Sequence, residues 1–204
     1  TTLDQYRLKY RQYLNDPTYR EARRRFTWID LWDDHEVFND YAGDRDRVVE
    51  KARIAAAYQA FAEYMPIDGE LQLNDRQVPS LLMRRSFSFG TLADFIRLDE
   101  RQYRKPNACS RTFVTSRCSG AESPEQTMLG SEQLGWLKNS LGSSEARWKL
   151  LLNEVMLAPL KLTSGTFLNL DGWDGYPAER EDILNFVRQE RISSVVALTG
   201  DIHA

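Results

Sequence analysis

The 204-residue chain carries a net charge of −3, with 42% hydrophobic and 28% charged residues, the balance of an ordinary globular domain. So slight an acidity offers no basic field for nucleic acid. No apolar run approaches the ~20 residues of a membrane span, and the opening Thr1-Thr2-Leu3-Asp4-Gln5-Tyr6 is polar from the start, unlike a secretory leader.

Leu3, Tyr6, Tyr10 and Leu14 recur at helical spacing and predict a short helix over 4–14. Asn15-Asp16-Pro17 breaks it, because the residue before a proline avoids the helical region. A basic helix over 17–25 follows, whose Arg20, Arg23, Arg24 and Arg25 read as a solvated face. The apolar run 26–32 predicts a buried strand. Gly43-Asp44 then precedes a single helix over 45–64, with Ile54, Tyr58, Phe61 and Met65 on one face, Asp44 or Asp46 as its cap, and Pro66 as its stop.

Residues 81–98 predict a β-hairpin turning at Gly90, with Phe87 and Phe89 facing inward. Pro, Ser, Asn and Gly over 104–128 predict a long loop. Cys109 and Cys118, nine positions apart inside it, suit either a disulfide or two free thiols, and no adjacent His or CxxC points to metal. A helix over 131–141 presents Leu134, Leu137 and Leu141, and a short strand over 148–152 ends at Asn153. Pro177 opens a helix packing through Ile183, Phe186 and Val187, and a strand over 194–199 closes the order. Helices alternating with apolar strands imply an α/β domain with mixed strand pairing.

Both histidines lie in acid-rich clusters behind apolar, strand-like runs: Trp32-Asp33-Asp34-His35-Glu36 and Gly200-Asp201-Ile202-His203. In open α/β sheets the ligand crevice lies outside the carboxyl ends of the strands. Carboxylate with imidazole is a ligand set for Zn, Fe or Mn and, with more oxygens, Ca. Near Asp-rich turns the same histidines also read as surface residues. Arg101 and Arg104 are candidates for oxyanion binding, or for ion pairs with Asp99 or another carboxylate. Asn153 is a weaker candidate for the same anion. Asp171 and Asp174 read as a turn that positions Trp173 and Tyr176, or as oxygen ligands for calcium.

The wording of several blocks resembles the PhoD-like alkaline phosphatases, a branch of the metallophosphoesterases. The blocks are Trp-Asp-Asp-His-Glu-Val-x-Asn-Asp at 32–40, Leu98-Asp99-x-Arg101-x-Tyr103-Arg104, Met128-Leu129-Gly130-x-x-Gln133-x-x-Trp136-Leu137, Trp148-Lys149, Asp171-Gly172-Trp173-Asp174-Gly175-Tyr176-Pro177, and Leu198-Thr199-Gly200-Asp201-Ile202-His203. The resemblance runs from about residue 28 to the C-terminus. It implies a layered αββα metallophosphoesterase-like sandwich, of which residues 1–204 would hold the second half of the catalytic core, truncated at both ends and inactive alone. It also implies hydrolysis of phosphate esters at a dinuclear or multinuclear metal site, with Fe3+ and Ca2+ by resemblance and Zn2+ or Mn2+ as alternatives.

In that reading Asp34, Asp201 and His203 are metal ligands, His35 faces the substrate as the acid, and Arg101 binds the phosphate. Asp33 would orient the imidazole of His35, and Glu36 would be structural. The family further implies an exported or extracellular protein. The competing expectation is an inactive copy of the fold serving as a binding or structural module.

Overall fold

The computed structural model describes residues 1–109 and 113–202. Helix α1 (Leu3–Leu14) starts where Thr2 and Gln5 cap each other reciprocally, and α2 (Pro17–Arg25) starts under the Asp16 carboxylate, which accepts from the Tyr19 amide at 2.8 Å. No residue of α2 is buried, and Arg24 and Arg25 pair with Glu21 along its own surface, so the basic run is a solvated face except at Arg23, whose side chain is 17% exposed and pairs with Asp30.

The expected strand over 26–32 does not form. That segment is extended but joins no sheet, and Phe26 is 68% exposed. Aromatic and branched residues favour extended backbone, yet a strand needs a partner edge. Here the Asp30 carbonyl is taken by Arg97 and the Asp30 side chain by Arg23. The expected single helix over 45–64 is two, α3 (Gly43–Val49) and α4 (Lys51–Tyr64), broken at Glu50 just after the β-branched pair Val48-Val49. Asp46 still serves the start of α3, accepting from the Ala42 amide at 2.9 Å.

A small ladder pairs β1 (Gln72–Leu73) with β2 (Pro79–Ser80). The main sheet has the order β3-β4-β5-β6, where β3 (Arg85–Phe89) and β4 (Ala93–Arg97) form the antiparallel hairpin. The strands β5 (Trp148–Val155) and β6 (Val195–Asp201) run parallel to β4. Each parallel step crosses through a helix, α5 (Gly130–Ser143) and then α6 (Pro177–Gln189), as parallel neighbours require. Both strands outrun the sequence expectation: β5 continues through Asn153 and β6 reaches Asp201.

Two apolar clusters result. In one, α1 and α4 enclose Trp32, Tyr41, Tyr58 and Phe61. The other lies between the sheet and α5 and α6, with Ile96, Leu98, Leu151, Trp173 and Ile183. The helices therefore cover the side of β4 that carries Ile96. This corrects the expected facing of the hairpin. Phe87 stacks on Phe95 with centroids 5.2 Å apart, but on the opposite side, where Phe89 is 68% exposed. Within the long loop, Cys109 and Cys118 form a disulfide with Cα atoms 5.6 Å apart.

Candidate active site

The first acidic cluster owes its shape to backbone hydrogen bonds that wrap the chain around Asp34. The Asp34 carbonyl accepts from the Val37 and Phe38 amides, and its carboxylate accepts from the Asp40 amide at 2.6 Å. Asp40 closes this turn with φ 55°, a left-handed conformation that Asp tolerates better than most residues. Glu36 folds back onto the turn and accepts from the Asp33 amide, which is the structural role expected of it. Asp34 is fully buried, whereas His35 is exposed at the rim.

Opposite this turn stand the carboxyl ends of β5 and β6. Asn153, Glu154, Thr199, Gly200 and Asp201 face Asp33, Asp34 and His35 across a cleft of about 600 Å³. Asp33 and Asp201 are hydrogen-bonded to each other. The two acidic clusters, far apart in sequence, thus meet in one place. His203 lies outside the described residues.

Arg101 is not among the residues lining this cleft, although its Nη2 is buried with no protein partner among the described residues. Its side chain is fully buried, with Nε on the Asp33 carboxylate and Nη1 on Asp171 at 2.6 Å. Its partner is Asp171 rather than Asp99, whose carboxylate accepts from the backbone of Arg101 and Gln102 and from the Trp32 indole. Arg104 completes the clamp, with Nη2 on Asp171 at 2.5 Å, Nη1 on the Asp171 carbonyl and Nε on the Tyr41 carbonyl. The strand end feeding this clamp passes so close to α3 that a Cβ on Gly43 would lie 2.1 Å from the Gln102 carbonyl oxygen. Only glycine fits there.

Burial and charge act against each other across the site. Burial pushes the Asp33 carboxyl up to about 6, against the pull of Arg101. It also pulls the Arg101 guanidinium down, yet Asp171 and Asp33 together hold it above its ordinary value. Behind them, Glu154 accepts from the Glu100 amide, and burial raises both carboxyls, so the pair favours protonated forms.

Two observations bear on whether these residues fit a metal. First, the Asn153 side chain is 2% exposed, lines the cleft, and has neither its Oδ1 nor its Nδ2 bonded to protein among the described residues. Buried amides are normally satisfied, so this one fits a ligand in the cleft. Second, carboxylate oxygens of Asp34, Asp40 and Asp171 lie within 4.8 Å of one another. Asp171 is already neutralised by two arginines, which leaves Asp34, with Asp201 and Asn153 of the same cleft, as oxygen donors that could hold a cation. An all-oxygen set of this kind suits a hard cation. In the sequence Asn153 is only a weak candidate, and Asp40 is not among the candidate ligands. Asp40 could have been suspected only from its position within the 32–40 block.

The sequence profile of the PhoD-like phosphatases matches residues 1–204. Alkaline phosphatase D of Bacillus subtilis (strain 168) is 39% identical over 210 residues, a match covering 100% of this chain and 35% of that protein. A solved structure titled "Structure of PhoD" superposes with a TM-score of 0.89 at 39% identity, covering 100% of this chain and 40% of the other. The chain thus spans little more than a third of the relatives it matches.

Proposed function

Since the chain belongs to the PhoD-like phosphatase family, we propose that the full-length protein hydrolyses phosphate esters in the cleft between the Asp33–Glu36 turn and the ends of β5 and β6. The observation that carries this is the meeting of Asp33, Asp34, His35 and Asp201 around a cleft floored by an unsatisfied amide. Asp34, Asp201 and His203 would hold a dinuclear metal centre, with Fe3+ and Ca2+ the favoured ions and Zn2+ or Mn2+ alternatives. The chemistry supplied by such a centre is neutralisation of the phosphate charge and a lowered pKa of the attacking water.

The remaining work falls to side chains. His35, exposed at the rim, is placed to protonate the departing alkoxide. Asn153 donates through Nδ2 to a phosphate oxygen or offers Oδ1 to an ion. Arg101 fixes Asp33 beside Asp201, and its buried Nη2, without a protein partner among the described residues, is the donor left for a phosphate oxygen. No described helix is long and apolar enough to cross a membrane, and the Cys109–Cys118 bridge suits an exported protein in an oxidising compartment.

The test is elemental analysis of the full-length protein, with phosphate release measured on mono- and diesters. Asp34→Asn should lower metal content and activity together. Full metal occupancy and normal turnover in that variant would overturn the site.

A further inference from the structure

Behind the cleft, on the free edge of β3, the structure gathers a second set of charges that the hydrolytic reading does not use. A hollow of about 350 Å³ is lined by Asp68, Leu82, Arg84, Arg85, Ser86, Arg97 and Trp136. It shares no lining residue with the cleft of Asp33, Asp34, His35 and Asp201. Arg97 is the informative member. Only 5% of it is exposed, and its guanidinium donates to two backbone carbonyls, from Nε to Met83 at 2.6 Å and from Nη1 to Asp30 at 3.1 Å. Carbonyls satisfy donors but bring no negative charge. Among the described residues Arg97 makes no ion pair within 4.0 Å, and Glu154, Asp99 and Asp68 act on it only from longer range.

A buried cation without a directly bonded carboxylate is costly, since buried charges are ordinarily paired. Arg84 and Arg85 do have partners, Glu132 at 2.5 Å and Asp68. Those carboxylates, however, belong to side chains 83% and 70% exposed, and exposed pairs of this kind exchange readily with solvent ions. Three arginines against one lining carboxylate leave the hollow cationic. The indole of Trp136 stands 6.0 Å from the Arg84 guanidinium and closes one side.

The geometry points to an oxyanion site in this hollow, taking a phosphate-type anion that Arg97 binds from within and Arg84 and Arg85 bind from the rim. Guanidinium forks match the oxygens of such an anion. Leu82 and Trp136 leave room for a small organic group on it, so inorganic phosphate and an organophosphate share the recognising chemistry.

Trp136 supplies the readout. The metal-loaded full-length protein is titrated with inorganic phosphate and, separately, with phenylphosphonate, an organic analogue that cannot be hydrolysed as an ester. Tryptophan fluorescence is followed, and the same titration of Trp136→Phe isolates the signal of this hollow from any anion in the cleft. The expected result is a saturable change absent from Trp136→Phe, weakened about 10–100-fold in Arg84→Gln/Arg85→Gln, the scale for losing charge-assisted hydrogen bonds. The double variant should release phosphate from esters as the parent does, and binding should weaken with ionic strength. Tighter binding of phenylphosphonate assigns the site to organophosphates, and tighter binding of phosphate to the free ion. Identical titrations of parent and Trp136→Phe, or undiminished affinity in the double variant, overturn the site without touching the hydrolytic reading.

Discussion

Asp171→Asn is the most informative single change, because it keeps the shape of the side chain and removes only its charge. Asp171 is 4% exposed and faces two guanidiniums at 2.5–2.6 Å. At an effective dielectric of about 20, each attraction is roughly 6 kcal/mol. The opposing repulsion from Asp34 and Asp40, whose oxygens lie within 4.8 Å, is roughly 3.5–4 kcal/mol for each carboxylate. Attraction therefore wins, about 13 against about 7–8 kcal/mol before desolvation is counted. Breaking a buried pair by removing one partner costs about 3–5 kcal/mol in measured cases. For a domain of this size that lowers the melting temperature by roughly 6–20 °C. Urea unfolding of the full-length variant measures the loss directly, and elemental analysis runs beside it. The reasoning fails if stability drops by less than about 1 kcal/mol. It fails differently if stability holds while metal is lost, for then Asp171 serves an ion and not the arginines.

Three other outcomes are expected. His35→Asn should keep its metal and lose turnover by about 10²–10⁴-fold; loss of metal to the extent seen for Asp34→Asn would remove His35 from the acid role. Asn153→Leu should leave stability unchanged or raised, since two unsatisfied polar atoms disappear, while metal or phosphate affinity falls; an affinity equal to the parent's, measured by calorimetry, would show that the amide serves no ligand. Glu179 accepts from the Met128 and Leu129 amides at 2.5 and 2.9 Å, and burial pushes its carboxyl up to about 7. Because the folded state holds this proton more tightly than the unfolded one, the stability it confers is complete below about 4.5 and is lost as pH rises toward 7, by roughly 3 kcal/mol. Glu179→Gln should flatten that part of the curve, and an unchanged slope between parent and variant in chemical denaturation across this range would refute the assignment.

Local signals in the sequence were read well where the cause is local. Thr2 and Gln5 cap α1, Asp16-Pro17 separates α1 from α2, and Pro177 opens α6, each through contacts within one turn. The reading went astray where partners lie far along the chain. The 26–32 run has the composition of a strand, but no edge of the sheet is beside it. Phe87 and Phe89 alternate correctly, yet which face the helices cover is decided by the crossovers through α5 and α6. That the carboxylate facing Arg101 is Asp171, seventy positions away, is invisible from its sequence neighbourhood. Asn153 gained weight only when its amide proved to be buried beside Asp33 and Asp201 with no protein partner.

The Arg101–Arg104–Asp171 clamp also sets a timetable. Its bonds join residues 63 to 70 positions apart, so Arg101 and Arg104 leave the ribosome well before their common partner Asp171. At about 5–20 residues per second, Asp171 follows Arg101 by roughly 4–14 s. Throughout that interval Arg101 has only one of its two carboxylates, Asp33, and Arg104 has none. The Asp33–Asp201 cleft is accordingly among the last parts of the molecule to mature. A lesion at Asp171 should surface in the cell as missing protein, removed during synthesis, before it surfaces as a sluggish enzyme.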